Sequence, residues 1–168
     1  MALLLHSLFY GLVLSVLLLG VILAAAFLRR AVPAGVALAD VPARASSSEA
    51  DSRRQRKRLA VPVLLAIVST LTAAVWTLPA ADVTPGFGTV FALGFLVAFV
   101  FNLFDLLIID WLLIVAWHPT WFVPPGTEGD AANRTYRFHF MGFLKGLGFC
   151  VMAGLVTAGL NGLMTGRW

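Results

Sequence analysis

Charged residues are scarce in this chain of 168 residues, where Asp, Glu, Lys and Arg together make up 12% of the sequence. A soluble globular domain contains roughly a quarter charged residues, which cover its water-facing surface. Hydrophobic residues make up 60% of this chain instead, and its mean hydropathy is +0.92. The composition excludes an ordinary soluble domain and favours a protein whose surface faces a lipid bilayer.

Sequence signatures of chemistry are missing as well. Cys150 is the single cysteine, so no internal disulfide can form, and its apolar neighbours predict a buried thiol that packs as a small hydrophobe. The sequence has no glycine-rich phosphate loop, nucleophile elbow, CxxC or HExxH motif. We therefore predict no cofactor and no metal site, and the sequence leaves open whether the chain is an enzyme.

Long apolar runs are what the sequence has in abundance. A membrane-spanning helix needs about 20 predominantly apolar residues. Four runs meet this length: Ala2–Leu28, Leu59–Leu78, Phe87–Trp117 and Phe138–Met164. The first run lacks a positively charged leader and is followed by Arg29 and Arg30, so we interpret it as a retained helix and not as a signal peptide. The predicted fold is all-α, a polytopic membrane protein with four transmembrane helices.

The basic residues predict the orientation of these helices. Ten of the twelve Lys and Arg residues lie in the two longer loops, one lies in the C-terminal tail, and Lys145 lies within a span. Because basic loops stay in the cytoplasm, both termini are predicted to lie outside. Arginine outnumbers lysine by ten to two, a bias typical of GC-rich bacterial genomes. These features predict a multi-pass protein of the bacterial plasma (inner) membrane.

Residues 29–58 form the most basic segment, with eight basic and three acidic residues. We interpret this charge as contact with the lipid bilayer and its anionic lipids, and not with nucleic acid. The predicted head-group contacts are Arg53, Arg54, Arg56, Lys57 and Arg58. Within it, residues 31–52 are rich in Ala, Ser, Pro and Val and show no helical periodicity, so we expect a mobile linker there.

That linker divides the predicted architecture. Residues 1–28 would form a tethered first helix that packs elsewhere or on a partner, and residues 59–168 would form a compact three-helix core with spans 59–78, 87–117 and 138–164. Four helices without an internal repeat are too few for a complete transporter. The chain is therefore expected to form a homo-oligomer or to be a subunit of a membrane complex.

Two polar groupings interrupt the apolar spans. Charged residues inside a membrane are rare and are functional candidates by default. With a rise of about 1.5 Å per residue, Asn102, Asp105 and Lys145 fall at similar depths, which predicts an intramembrane polar cluster that these three residues form. Gly142 and Gly146 flank Lys145 and predict close helix packing, with the lysine directed into a helix contact.

The second grouping lies nearer the cytoplasmic ends of the spans. It contains Asp110, His118, Arg134, Arg137 and His139 and is called the cytoplasmic rim. On an α-helix, Asp105 and Asp110 would point about 140° apart, so the rim is predicted to be separate from the intramembrane cluster. Asp110 is expected to meet the loop arginines.

Two segments together resemble a known kind of protein. They are Asn102-Leu-Phe-Asp105 with Asp110-Trp111, and Tyr136-Arg-Phe-His139-Phe with Gly142. The pattern resembles small, uncharacterised bacterial four-helix integral membrane proteins over roughly the last 90 residues. The resemblance implies that these polar residues belong together and implies no activity.

The sequence supports two functional hypotheses. In the first, the intramembrane cluster of a non-enzymatic membrane protein binds a proton, an ion, a small polar ligand or a partner helix. In the second, the rim residues of a membrane-embedded enzyme act on a lipid or isoprenoid head group at the cytoplasmic face. A third reading, an assembly or scaffold subunit, is favoured if span one packs away from the other helices.

Overall fold

The computed structural model describes residues 1–31, 44–117, 119 and 135–166, with backbone alone at 28–31 and 44–58. The described residues contain four α-helices: α1 (Ala2–Ala31), α2 (Arg44–Trp76), α3 (Phe87–Phe104) and α4 (Tyr136–Thr165). A short 3₁₀ turn, Pro79–Ala81, follows α2, and a π-helical segment, Asp105–Trp117, continues α3. No β-strand occurs in the described ranges, which confirms the all-helical prediction.

The apolar parts of these helices also match the expected number of spans. Four stretches are long and apolar enough to cross a membrane: Ala2–Phe27, Leu59–Trp76, Phe87–Trp117 and Tyr136–Thr165. The third is the longest because the π-helical segment extends α3 without a break.

The segment predicted as a mobile linker is partly helical. Helix α1 continues to Ala31, and α2 begins at Arg44, well before its apolar part. Residues 44–58 contain five Arg, two Ala and one each of Gln, Lys and Glu, which all favour a helix, and the helical apolar run that follows supplies the nucleus. The expected linker is thus shortened to residues 32–43, which lie outside the described residues.

Helix α3 is the centre of the bundle. It packs most extensively on α4 and then on α1, whereas α2 contacts chiefly α1. Leu14 and Leu18 of α1 are buried in the same core as Val90, Leu93 and Val97 of α3. The first helix is therefore part of the bundle and is not a separate tethered element, because its apolar face completes the core that α3 leaves open.

Glycines allow α3 to approach both neighbours closely. A Cβ atom built on Gly11 of α1 would lie 2.5 Å from the Cβ of Val100. A Cβ atom built on Gly154 of α4 would lie 2.8 Å from the backbone oxygen of Phe91. Both distances are shorter than side chains tolerate, so α3 is held between two surfaces that require glycine.

Candidate functional site

The third apolar run changes its helical form at its first aspartate. Residues Asp105–Trp117 form a π-helix, in which each turn is closed by a hydrogen bond from residue i to residue i+5. Such helices are rare, usually extend over a single turn and are frequent at functional sites. Because a π-helix has more residues per turn than the 3.6 of an α-helix, the rotation between Asp105 and Asp110 is much smaller than the roughly 140° expected for an α-helix.

The π-helical segment places Asp110 against α4. The Nδ1 atom of His139 lies 3.0 Å from the Oδ1 atom of Asp110, a distance at which the imidazole N–H donates to the carboxylate. The His139 side chain is 8% exposed and that of Asp110 is 21% exposed. This contact joins two helices through a largely buried, charge-assisted hydrogen bond.

Asp105 completes what we call the acid–histidine cluster, which consists of Asp105, Asp110 and His139. The Asp105 carboxylate lies close enough to interact electrostatically with both Asp110 and His139. The sequence analysis assigned the two aspartates to separate groups because it assumed α-helical geometry. The structure instead places Asp105 within electrostatic range of both Asp110 and His139.

Asn102 lies one turn before this cluster and faces α4. Its Nδ2 atom donates a hydrogen bond to the backbone oxygen of Phe143 at 3.1 Å. Its amide also occupies the space beside Gly146, where a Cβ atom would collide with Asn102 Oδ1. Asn102 thus fixes the register between α3 and α4 at the level where the polar residues begin.

Lys145 does not join Asn102 and Asp105. Its side chain is exposed, and none of the ion pairs among the described side chains includes it. Adjacent helical residues are rotated by about 100°, so the Gly146 backbone, which faces α3, turns Lys145 away from that contact. Gly142 is exposed too, with nothing within 4 Å of a Cβ atom built on it. The expected direction of the lysine into a helix contact is therefore corrected.

The other rim residues are distributed differently. Arg137 is exposed and takes part in no ion pair with the described carboxylates, so it is not the partner of Asp110. His118 and Arg134 lie outside the described residues. The side chains of Arg53, Arg54, Arg56, Lys57 and Arg58 also lie outside the described part, although the backbone there is helical.

An aromatic pair comes from the same two helical segments as the acid–histidine cluster. The rings of Trp111 and Tyr136 meet edge to face, with centroids 5.5 Å apart. The Trp111 Nε1 atom is buried and has no hydrogen-bond partner among the described residues. No group of three or more His, Cys, Asp and Glu side chains in this part of the chain is arranged to hold a metal ion.

A second polar cluster, at the opposite end of the bundle, was missed by the sequence analysis. The Nε2 atom of His6 donates to the backbone oxygen of Ala74 at 2.9 Å and lies 3.3 Å from Thr77 Oγ1. The hydroxyl groups of Tyr10 and Thr77 are 2.9 Å apart. We call His6, Tyr10 and Thr77 the His6–Thr77 cluster. One feature of the sequence could have predicted this cluster: His6 and Thr77 both lie near the outer ends of consecutive spans that are predicted to be antiparallel.

An apolar groove opens between α2 and α4, which stand apart, and α3 forms its floor. Its volume is about 870 Å³. Polar side chains are few along it, and they include Asn102 at one end and Asn161 and Thr165 at the other. None of Asp105, Asp110, His139 and Arg137 lines this groove, so it is separate from the acid–histidine cluster.

No family model, curated protein or solved structure matches the chain.

Proposed function

We propose that the chain is a multi-pass protein of a bacterial plasma membrane, with both termini outside and the basic segments in the cytoplasm. Large apolar side chains cover the outside of the bundle, as Val16, Leu65 and Phe149 illustrate with 64%, 63% and 76% of their surface exposed. Such a surface suits lipid chains and would be unfavourable in water. The basic loops and the arginine-rich composition support the orientation and the bacterial origin.

The orientation is tested by cysteine labelling of intact cells in a Cys150→Ala background. A membrane-impermeant maleimide is expected to label Ala2→Cys and to leave Ser46→Cys unlabelled until the cells are opened. The reverse pattern would contradict the proposed orientation.

Within this protein, the acid–histidine cluster binds and exchanges a proton. The observation that carries this proposal is the 3.0 Å contact between His139 Nδ1 and Asp110 Oδ1, buried between the π-helical segment and α4. A carboxylate and an imidazole that share a hydrogen bond already hold one proton between them, and Asp105 supplies a second acceptor nearby.

Charge favours a proton over other ligands at this site. Two carboxylates and one neutral imidazole carry a charge of −2, and two bound protons neutralise the cluster. A low-dielectric environment favours the neutral assembly because an uncompensated charge there is costly. Among the described residues, Asp105, Asp110 and His139 are not arranged to hold a metal ion together.

Infrared difference spectroscopy of the reconstituted protein tests the proposal. Acidification is expected to produce a protonated carboxyl band from the cluster. The Asp105→Asn and Asp110→Asn variants should each shift or weaken this band, and His139→Gln should alter its pH midpoint. Asp82→Asn is the control because Asp82 is exposed in the turn after α2 and its left-handed backbone (φ 55°) also suits asparagine.

The result that would overturn the proposal is a carboxyl band that is unchanged in both Asp105→Asn and Asp110→Asn. A band that disappears only in Asp82→Asn would have the same consequence. The enzyme hypothesis gains no specific support, because the groove large enough for a lipid is not lined by Asp110, Arg137 or His139.

A further inference from the structure

The groove between α2 and α4 is continued by cationic residues at one end. On α4, Phe149, Met152 and Val156 line the groove. Lys145 precedes them by four, seven and eleven residues, which places it on the same face of the helix. The exposed lysine therefore extends the apolar lining by one turn at the end where Asn102 and Gly146 lie.

Helix α2 has the same pattern on the other side of the groove. Its first lining residue is Leu64, and the basic run 53–58 precedes it on the same continuous helix. Arg58 is six residues before Leu64, about 9 Å along the axis. Both walls of the groove thus lead into basic sequence at the same end.

This arrangement explains an otherwise costly residue. An exposed lysine within an apolar span is unfavourable unless its ammonium group reaches the interface or meets an anion. Lys145 lies nine residues into α4 and can extend toward the level of Arg58, where the basic run begins. A phosphate at this end of the groove would neutralise the lysine.

We propose that the groove holds the acyl chain of an anionic phospholipid, with the phosphate of its head group beside Lys145. The proposal rests on the membrane placement proposed above, and it is independent of the acid–histidine cluster. The lining along α2 from Leu64 to Trp76 extends about 18 Å, which is close to the roughly 15 Å of one leaflet's hydrocarbon.

A second copy of the chain fits the groove less well. A parallel copy would bring another Lys145 and another basic run to the same level, and like charges at a contact of low dielectric repel. The apolar lining and the cationic end together favour an anionic molecule with a hydrocarbon chain.

The test measures lipids retained after reconstitution of the full chain into vesicles of equal phosphatidylglycerol and phosphatidylcholine. The protein is extracted, exchanged into detergent, and its retained lipids are counted by mass spectrometry. Wild type is expected to retain phosphatidylglycerol preferentially. Lys145→Gln should lower this preference by about fivefold, the factor for one basic contact near an anionic head group. Arg137→Gln is the charge control, because Arg137 is exposed on α4 away from the groove.

A second pair of variants tests the groove itself. Val156→Trp should reduce the total lipid retained, because Val156 lines the groove and the larger ring fills it. Val151→Trp should have no effect, because Val151 is exposed to a similar degree (42% against 51%) and does not line the groove. The proposal is overturned if wild type retains both lipids equally, if Lys145→Gln matches wild type, or if Val156→Trp matches Val151→Trp.

Other occupants would also be recognised. A polyprenyl phosphate recovered in place of a glycerophospholipid from protein purified from cells would overturn the proposal. A lipid-free dimer that Val156→Trp dissociates would overturn it in favour of a second copy. A protein that fails to insert into vesicles would contradict the membrane placement, whereas one that inserts and shows no lipid preference would contradict the groove assignment alone.

Discussion

Two polar clusters at opposite ends of the bundle solve the same packing problem with different chemistry. The His6–Thr77 cluster joins α1 to α2 through an imidazole, two hydroxyls and a backbone carbonyl. The acid–histidine cluster joins the π-helical segment to α4 through the Asp110 carboxylate and the His139 imidazole, with the Asp105 carboxylate within electrostatic range. The first can satisfy its groups without any net charge, whereas the second cannot be neutral without additional protons.

The two histidines illustrate the difference. His6 donates to Ala74, one of the last carbonyls of α2, which have no partner within the helix. His6 therefore acts as a cap, and its role is structural. His139 meets a carboxylate whose charge would remain buried if the imidazole were removed. His139 donates to a carboxylate, and this hydrogen bond can change when the carboxylate gains or loses a proton. The backbone carbonyl that accepts from His6 does not ionise, so that hydrogen bond has no such dependence.

The largest loss of stability is expected from His139→Leu. The substitution removes the donor and leaves Asp110 without its partner, which costs about 3–5 kcal/mol for a buried pair. Unfolding in detergent, followed by circular dichroism, measures this loss. The double variant Asp110→Leu with His139→Leu should recover most of it, since both charges are then replaced by apolar groups. Equal instability of the single and double variants would show that the contact is not a stabilising pair.

A smaller loss is expected from Gly146→Ala, next to the same cluster. The added methyl group takes the space of the Asn102 amide and should lower the unfolding free energy by about 1–3 kcal/mol. Gly142→Ala is the matched control on α4, because its Cβ atom meets open space. Higher helix propensity should stabilise that control by up to about 1 kcal/mol. If the two variants change stability in the same direction, the close contact with Asn102 is not required.

His6→Leu is expected to cost less than either change. It removes one hydrogen bond to a carbonyl, worth about 1 kcal/mol, and leaves no charge behind. The same unfolding assay compares it with His139→Leu. A loss for His6→Leu as large as that for His139→Leu would remove the distinction between the two clusters.

Tyr10→Phe should have the smallest effect. It deletes the Tyr10 hydroxyl, but Thr77 Oγ1 keeps its own bond to the backbone oxygen of Ala73 at 2.8 Å. The expected loss is about 0.5 kcal/mol. Tyr136→Phe is the control and should leave stability unchanged, since its contact with Trp111 is through the ring.

Much of the fold follows from composition, because the lengths and the hydropathy of the apolar runs alone locate four apolar helices. The helical form of residues 105–117 does not follow, since an apolar run gives no indication of whether its hydrogen bonds join residues four or five apart. That difference decides which face Asp110 occupies. The sequence argument therefore separated Asp110 from Asp105, although it had assigned Asp110 and His139 to the same rim.

The incorrect prediction of the direction of Lys145 has a similar origin. Depth along a helix can be counted from the sequence, and it placed Lys145 at the level of the aspartates. Rotation depends on which residue meets the neighbouring helix, and that residue is Gly146. The groove could not be predicted either, because it depends on the distance between α2 and α4, which no single helix encodes.

The π-helical segment also has a consequence for insertions and deletions. An α-helix aligns residues spaced by four and a π-helix aligns residues spaced by five, so the five-residue spacing of Asp105 and Asp110 matches the helical form that contains them. Changing the helical form alone, to an α-helix, separates the two carboxylates by about 140°. Removing one exposed residue between them, such as Leu107, would let ordinary α-helical bonding bring them back onto one face. The length of this segment and its helical form are thus coupled, because a change in one can be compensated by a change in the other.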